Sequence, residues 1–180
     1  MFRVRGVNCE NRQYHINLIR AVSEHDLGAA IILAAVYFEW CVRRCIMALG
    51  TSPVMELRAT LNNKRTNIEA LKSIWSAEVH KQGLPTLPSL FDSMERKPKF
   101  RNLTLDWKSI NNAMKMRNRL VHGSNCNPKN ENGSKYVELF LAATNILADL
   151  AESKGYSIFA IIRRKPKNAV ASAAMQPKYK

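Results

Sequence analysis

Two residues five positions apart, Arg117 and His122, carry the side-chain chemistry needed to break an RNA phosphodiester. An imidazole, with an ordinary pKa of roughly 6.5, can take or give a proton near neutrality. A guanidinium is permanently charged and offers two parallel hydrogen bonds to phosphate oxygens, which suits it to the charge that develops on phosphorus. RNA supplies its own nucleophile in the 2′-hydroxyl. The protein need only assist deprotonation, charge stabilisation and leaving-group protonation, so no metal and no cofactor is expected. Asn118 lies beside Arg117 and is suited to orient the phosphate or the imidazole.

The pair sits in MKMRNRLVHG, where Ile110, Met114, Arg117 and Val121 follow one helical stripe. That places an arginine among apolar positions, where a guanidinium is costly unless an anion compensates it. An external phosphate would do so. The ordinary alternative is that Arg117 pairs with a carboxylate while His122 and Gly123 merely end a helix. The same Arg-x4-His spacing recurs at Arg20 and His25, but without the Asn, the apolar pair Leu120–Val121 or the following glycine. Geometry adds a constraint. Positions five apart on a helix differ by about 140° in direction and about 7.5 Å along the axis, so Arg117 and His122 do not share a face. Asn118 and His122, four apart, do. Convergence on one phosphate needs a helix that loosens at its end or a second subunit.

The Arg117, Asn118 and His122 pattern resembles the Arg-x4-6-His signature of the HEPN family, and a long apolar segment, AAIILAAVYFEWCVRRCI, precedes it at about the distance that family shows. In outline the resemblance spans residues 10 to 155. It implies a HEPN-like helical bundle and a metal-independent endoribonuclease that leaves a 2′,3′-cyclic phosphate and a 5′-hydroxyl, inert toward DNA. It also implies a homodimer with the site at its interface, and a role as a toxin or antiviral-defence effector with an antitoxin or regulatory protein as a further partner. An acidic residue on the long apolar helix commonly lies near the motif, which puts Glu39 beside Arg117 or His122. Read from the residues alone, Glu39 could equally pair with Arg43 one turn on. The competing function is a non-catalytic helical module that binds RNA or a protein.

Charge favours a polyanion. The chain has 28 Lys and Arg against 14 Asp and Glu, a formal net charge of +14, so its compact state repels itself unless it meets one. Lys97, Lys99 and Arg101 in the basic loop ERKPKFR, with Lys115 and Arg119 beside the motif, are expected to contact the RNA backbone, and Phe100 or Trp107 could stack on a base. Tyr37, Trp40 and Trp75 sit at helical spacings and read as core. The basic residues are not gathered on one apolar-backed face, so a membrane surface is not expected as a partner. The longest apolar stretch, 27 to 41, is broken by Glu39 and is short for a span. The four cysteines match no zinc spacing and read as free thiols in a reducing compartment. No signal-peptide core follows the two early arginines, so the cytoplasm is the expected location. No helix-turn-helix spacing supports a DNA-binding regulator.

The elements that must position the motif are helices. Periodic apolar positions predict segments from Asn11 to Val22, from Leu27 to Leu49 with Gly50 as its stop, and from Pro53 onward, broken at the polar run Asn62–Asn67. A proline-rich loop with room for one short helix follows Gly83. Further helices run from Thr104 through the motif and from Lys135 to Lys154, and Ser157–Ile162 could add a short strand or helix. The expectation is an all-α compact bundle of four to six helices in one domain, 1–162, with a basic, mobile tail at 163–180.

Overall fold

The computed structural model describes residues 12–63, 67–93, 99–100, 103–123, 126–129, 132–160 and 162. Among these, seven α-helices follow one another: α1 (Arg12–His25), α2 (Leu27–Leu49), α3 (Val54–Asn63), α4 (Ile68–Glu78), α5 (Leu87–Asp92), α6 (Trp107–Val121) and α7 (Gly133–Ser153). A 3-10 turn occupies His80–Gln82. A two-residue pair, β1 (Lys99–Phe100) and β2 (Leu103–Thr104), runs antiparallel with Lys99 opposite Thr104. The architecture is an all-α bundle, as the periodicity predicts, with more helices than the four to six expected. Local caps account for the excess. Asn67 accepts from the N–H of Ala70 at 2.9 Å and starts α4 anew after the polar run, while Thr86 caps the six-residue α5 with a proline in its first turn.

Helix α2 is the centre of the bundle. Asp26 caps it by accepting from Ala29 N–H at 3.0 Å, and Ile31, Phe38, Val42, Cys45 and Ile46 are completely buried. Helix α7 packs along it most extensively, flanked by α1 and α6. Phe38 meets Phe140 of α7 at 5.6 Å and Phe91 of α5 at 6.3 Å between ring centroids. Each such buried side chain contributes about 1.5–3 kcal/mol by leaving water, which is why one helix can organise the rest. Burial pushes the thiols of Cys41 and Cys45 up, and Cys45 donates to the carbonyl of Leu147. Both are free, as is the half-buried Cys126. Cys9 lies outside the described residues.

On α1 Ile16 and Ile19 are buried, whereas Tyr14 and Leu18 face solvent. One reading of the flanking segments is corrected: the stretch from Ser157 forms turns through Ala160 rather than a strand or helix. It is held instead by side chains. Ile158 and Phe159 are buried, and Phe159 lies 6.0 Å from the Trp40 ring. The buried guanidinium of Arg44 donates Nε to the carbonyl of Ile158 at 2.7 Å and Nη2 to that of Ala160, with Trp40 beneath it. Residue 161 and the basic tail lie outside the described residues. No helix among the described residues is long and apolar enough to cross a membrane.

The turn between α2 and α3 is tied to the end of α4 by one carboxylate. Glu78 accepts from the backbone N–H and the hydroxyl of both Thr51 and Ser52, each at 2.8–2.9 Å. Partial burial alone would raise its carboxyl, but these four donors outweigh that and hold it below the usual range.

Arg44→Ala leaves two carbonyls without their charged donor. It is expected to cost about 2–3 kcal/mol in urea unfolding, with faster hydrogen exchange at Tyr156 and Phe159.

Candidate active site

Helix α6 begins where two carboxylates fix it. Asp106 accepts from Ser109 N–H at 2.7 Å as the N-cap, and Asp92, at the end of α5, accepts from Trp107 N–H at 2.9 Å. Ile110, Ala113, Met114 and Met116 then face the core. Asp92 had no sequence signal, because it acts across fifteen residues from another helix. Trp107, a candidate base platform, is buried and stacked on Phe91 at 6.3 Å, so it is not available for stacking.

The apolar stripe does not continue to the end of the helix. Ile110 and Met114 are buried, Arg117 is partly exposed, and Val121 is 50% exposed, so the expectation of a core position for Val121 is corrected. In the last turn it is Leu120, not Val121, that packs on the core, at the start of α2 near Gly28. The return toward α7 is equally tight there: a Cβ on Gly133 would lie 2.6 Å from the carbonyl of Pro128, so only glycine fits.

At this margin Arg117 meets Glu39 of α2, with Nη2 to Oε1 at 3.8 Å and both side chains mostly buried. That distance is an ion pair without a hydrogen bond. Nη1 donates to Oδ1 of Asn118 at 2.9 Å, and Nε is buried with no hydrogen-bond partner among the described residues. The guanidinium therefore keeps an unfilled donor in a site already depleted of water, and such a donor costs about 1–3 kcal/mol. Glu39 is desolvated. Burial pushes its carboxyl above the ordinary range, against the opposing pull of Arg117 and, more weakly, of Arg43. Arg43 itself donates Nη1 to the carbonyl of Leu61 at 2.6 Å.

His122 closes the helix. Its N–H donates to the carbonyl of Asn118 at 3.0 Å, so the helix stays α-helical to its end, and Gly123 follows at φ +68°. The imidazole is exposed and makes no hydrogen bond or ion pair among the described residues. A single chain thus assembles Arg117, Asn118 and Glu39, and leaves His122 to the side that the five-residue spacing dictates. The second Arg-x4-His pair is spent elsewhere: Arg20 makes a two-pronged pair with Glu138 at 3.0 and 3.1 Å.

Of the expected RNA contacts, Lys115 is exposed on α6 and Arg119 is half-buried beside it. Lys99 lies in β1, while Lys97 and Arg101 lie outside the described residues. Tyr37 and Trp75 are core, and Trp40 stacks on Tyr37 at 6.0 Å. No protein-family model, no curated protein and no solved structure matches this chain.

Because burial raises the Glu39 carboxyl, the stability it contributes is present below the ordinary carboxylate value and lost as pH rises through its folded value. Glu39→Gln is therefore expected to show a higher thermal midpoint than the parent at pH 7 and the same midpoint near pH 3.5. A drop at pH 7 would mean that pairing with Arg117 outweighs burial.

Proposed function

We propose that this chain is a metal-independent endoribonuclease of HEPN type. The observation that carries the reading is the state of Arg117. It is a partly buried guanidinium held by Asn118 and Glu39, with one buried N–H unfilled. In this reading Arg117 stabilises the charge on the phosphorane, Asn118 orients the guanidinium and phosphate, and His122 transfers the proton. The 2′-hydroxyl attacks phosphorus, its proton leaves to a base, and the 5′-oxygen departs protonated. The products are a 2′,3′-cyclic phosphate and a 5′-hydroxyl. Glu39 acts through Arg117 as a positioning residue.

The α-helical end of α6 keeps His122 away from Arg117 within one chain, so the reading requires a second copy. A suitable surface adjoins the site. Val36 on α2, about one turn before Glu39, and Leu33, a turn earlier, are exposed, as is Val121 on α6. A two-fold contact over this apolar margin would cover it and bring the imidazole of one subunit toward the guanidinium of the other. A cytoplasmic toxin or defence effector, held in check by an antitoxin or regulatory protein, belongs to the same proposal.

The exposed imidazole of His122, with no hydrogen bond or ion pair among the described residues, favours one alternative, a helical module that binds RNA or a protein without cutting it. Incubation with RNA in EDTA decides between them. Arg117→Ala and His122→Ala are each expected to slow cleavage by about a hundredfold or more while leaving the circular-dichroism melt in place. Cleavage that persists in both variants removes the enzyme reading, and binding that survives in both without any nicked RNA establishes the module.

A further inference from the structure

Helix α6 is basic and polar along its solvent face, opposite the side that carries Ile110, Met114 and Arg117. Lys108, Asn112 and Lys115 are exposed, with Asn111 and Arg119 half-buried at its borders, and the face ends on His122. No carboxylate occurs within the helix. The two acids nearest its start, Asp92 and Asp106, are consumed by the backbone N–H groups of Trp107 and Ser109. Lys108 and Lys115 make no ion pair among the described residues.

Helix energetics explains only part of this. Cations in the last turn complement the helix dipole, which accounts for Arg119. Lys108 is in the first turn, where a positive charge is unfavourable and an acid is preferred. A bound anion would offset that small cost. Lys108, Lys115 and His122 recur at seven-residue intervals, so on the helix surface they lie about 10.5 Å apart along the axis and drift by only about 20° per step. Asn111 and Asn118 form a parallel row, and so do Asn112 and Arg119.

We propose that this face is a track for single-stranded RNA; the inference rests on the RNA-cleaving reading above and extends it to the substrate's path. Lys108, Lys115 and Arg119 meet phosphates. Asn111 and Asn112, each both donor and acceptor, meet ribose hydroxyls and base edges. A paired A-form helix closes its major groove to side chains and is met mainly by shape across its shallow minor groove. An unpaired strand offers free Watson–Crick edges to donor–acceptor amides, so these amides are assigned to an unpaired strand. The face has no exposed aromatic, Trp107 being buried, so binding is dominated by phosphate contacts and is steeply salt-dependent.

The test is fluorescence anisotropy with a labelled, 2′-O-methylated single strand of about 16 nucleotides, which cannot be cleaved through its 2′-oxygen. The double variant Lys108→Ala/Lys115→Ala is expected to bind more weakly and to lower the slope of log K against log salt by about 1.4, two single-strand phosphate contacts. A control with Lys81→Ala/Lys154→Ala, exposed lysines away from α6, keeps the parent slope. An unchanged slope in the α6 variant, or an equal fall in the control, overturns the track. Tighter binding to a duplex of the same sequence overturns it too, as does capture of polyglutamate in preference to RNA. Cleavage of unmodified RNA by the α6 variant at the parent KM overturns the track and leaves the nuclease reading standing. A parent chain that binds with the expected slope but never cleaves supports the track and removes the nuclease reading.

Discussion

The burial of α2 is the constraint on which the rest of the molecule depends. A helix of 23 residues that is apolar on nearly every side must be covered on nearly every side, and α7, α1, α6, α4 and α3 do so. The charges it carries are costly to leave unpaired at that depth. Arg44 is met by carbonyls of the segment after α7, and Glu39 by Arg117 of α6. The positions of both elements are thus set partly by charges embedded in the central helix. One charge closes the C-terminal segment over Trp40, and the other lies where the candidate chemistry is.

Helix α6 has a dual role. One side supplies Ile110, Ala113 and Met114 to the core, and the other presents lysines and amides to water. Arg117 falls where the core side runs out. It has enough surroundings to be desolvated and oriented, and too few to be fully paired. That combination separates it from Arg20, whose exposed two-pronged pair with Glu138 leaves it chemically occupied. It also separates it from Arg44, whose donors are spent on backbone carbonyls.

Glu39 and Arg117 illustrate how burial and pairing compete. Their separation of 3.8 Å gives attraction without a hydrogen bond, and desolvation of the carboxyl wins over that attraction. The pair is a loose clamp. It restrains the guanidinium without satisfying it, which leaves Arg117 able to accept a better anion at little loss.

Much of the fold was legible in the residues. Continuous apolar character marked α2 as central, Asp26 and Gly50 marked its ends, and the polar run at 62–67 divided α3 from α4. These are local properties, set by helical periodicity and by caps that act over one turn. The pattern of Arg117, Asn118 and His122 was equally plain, as was the angular separation that keeps the first and last apart on a regular helix. What the sequence could not fix was which of two cations Glu39 would face, whether Val121 and Trp107 would be covered, and how the residues after α7 would be held. Each of those depends on where a helix stops relative to neighbours remote in sequence. The chain by itself determined which residues could do chemistry and on which turn they stand; only tertiary packing decided that Glu39 faces Arg117 and that Val121 is left exposed, because both depend on neighbours remote in sequence.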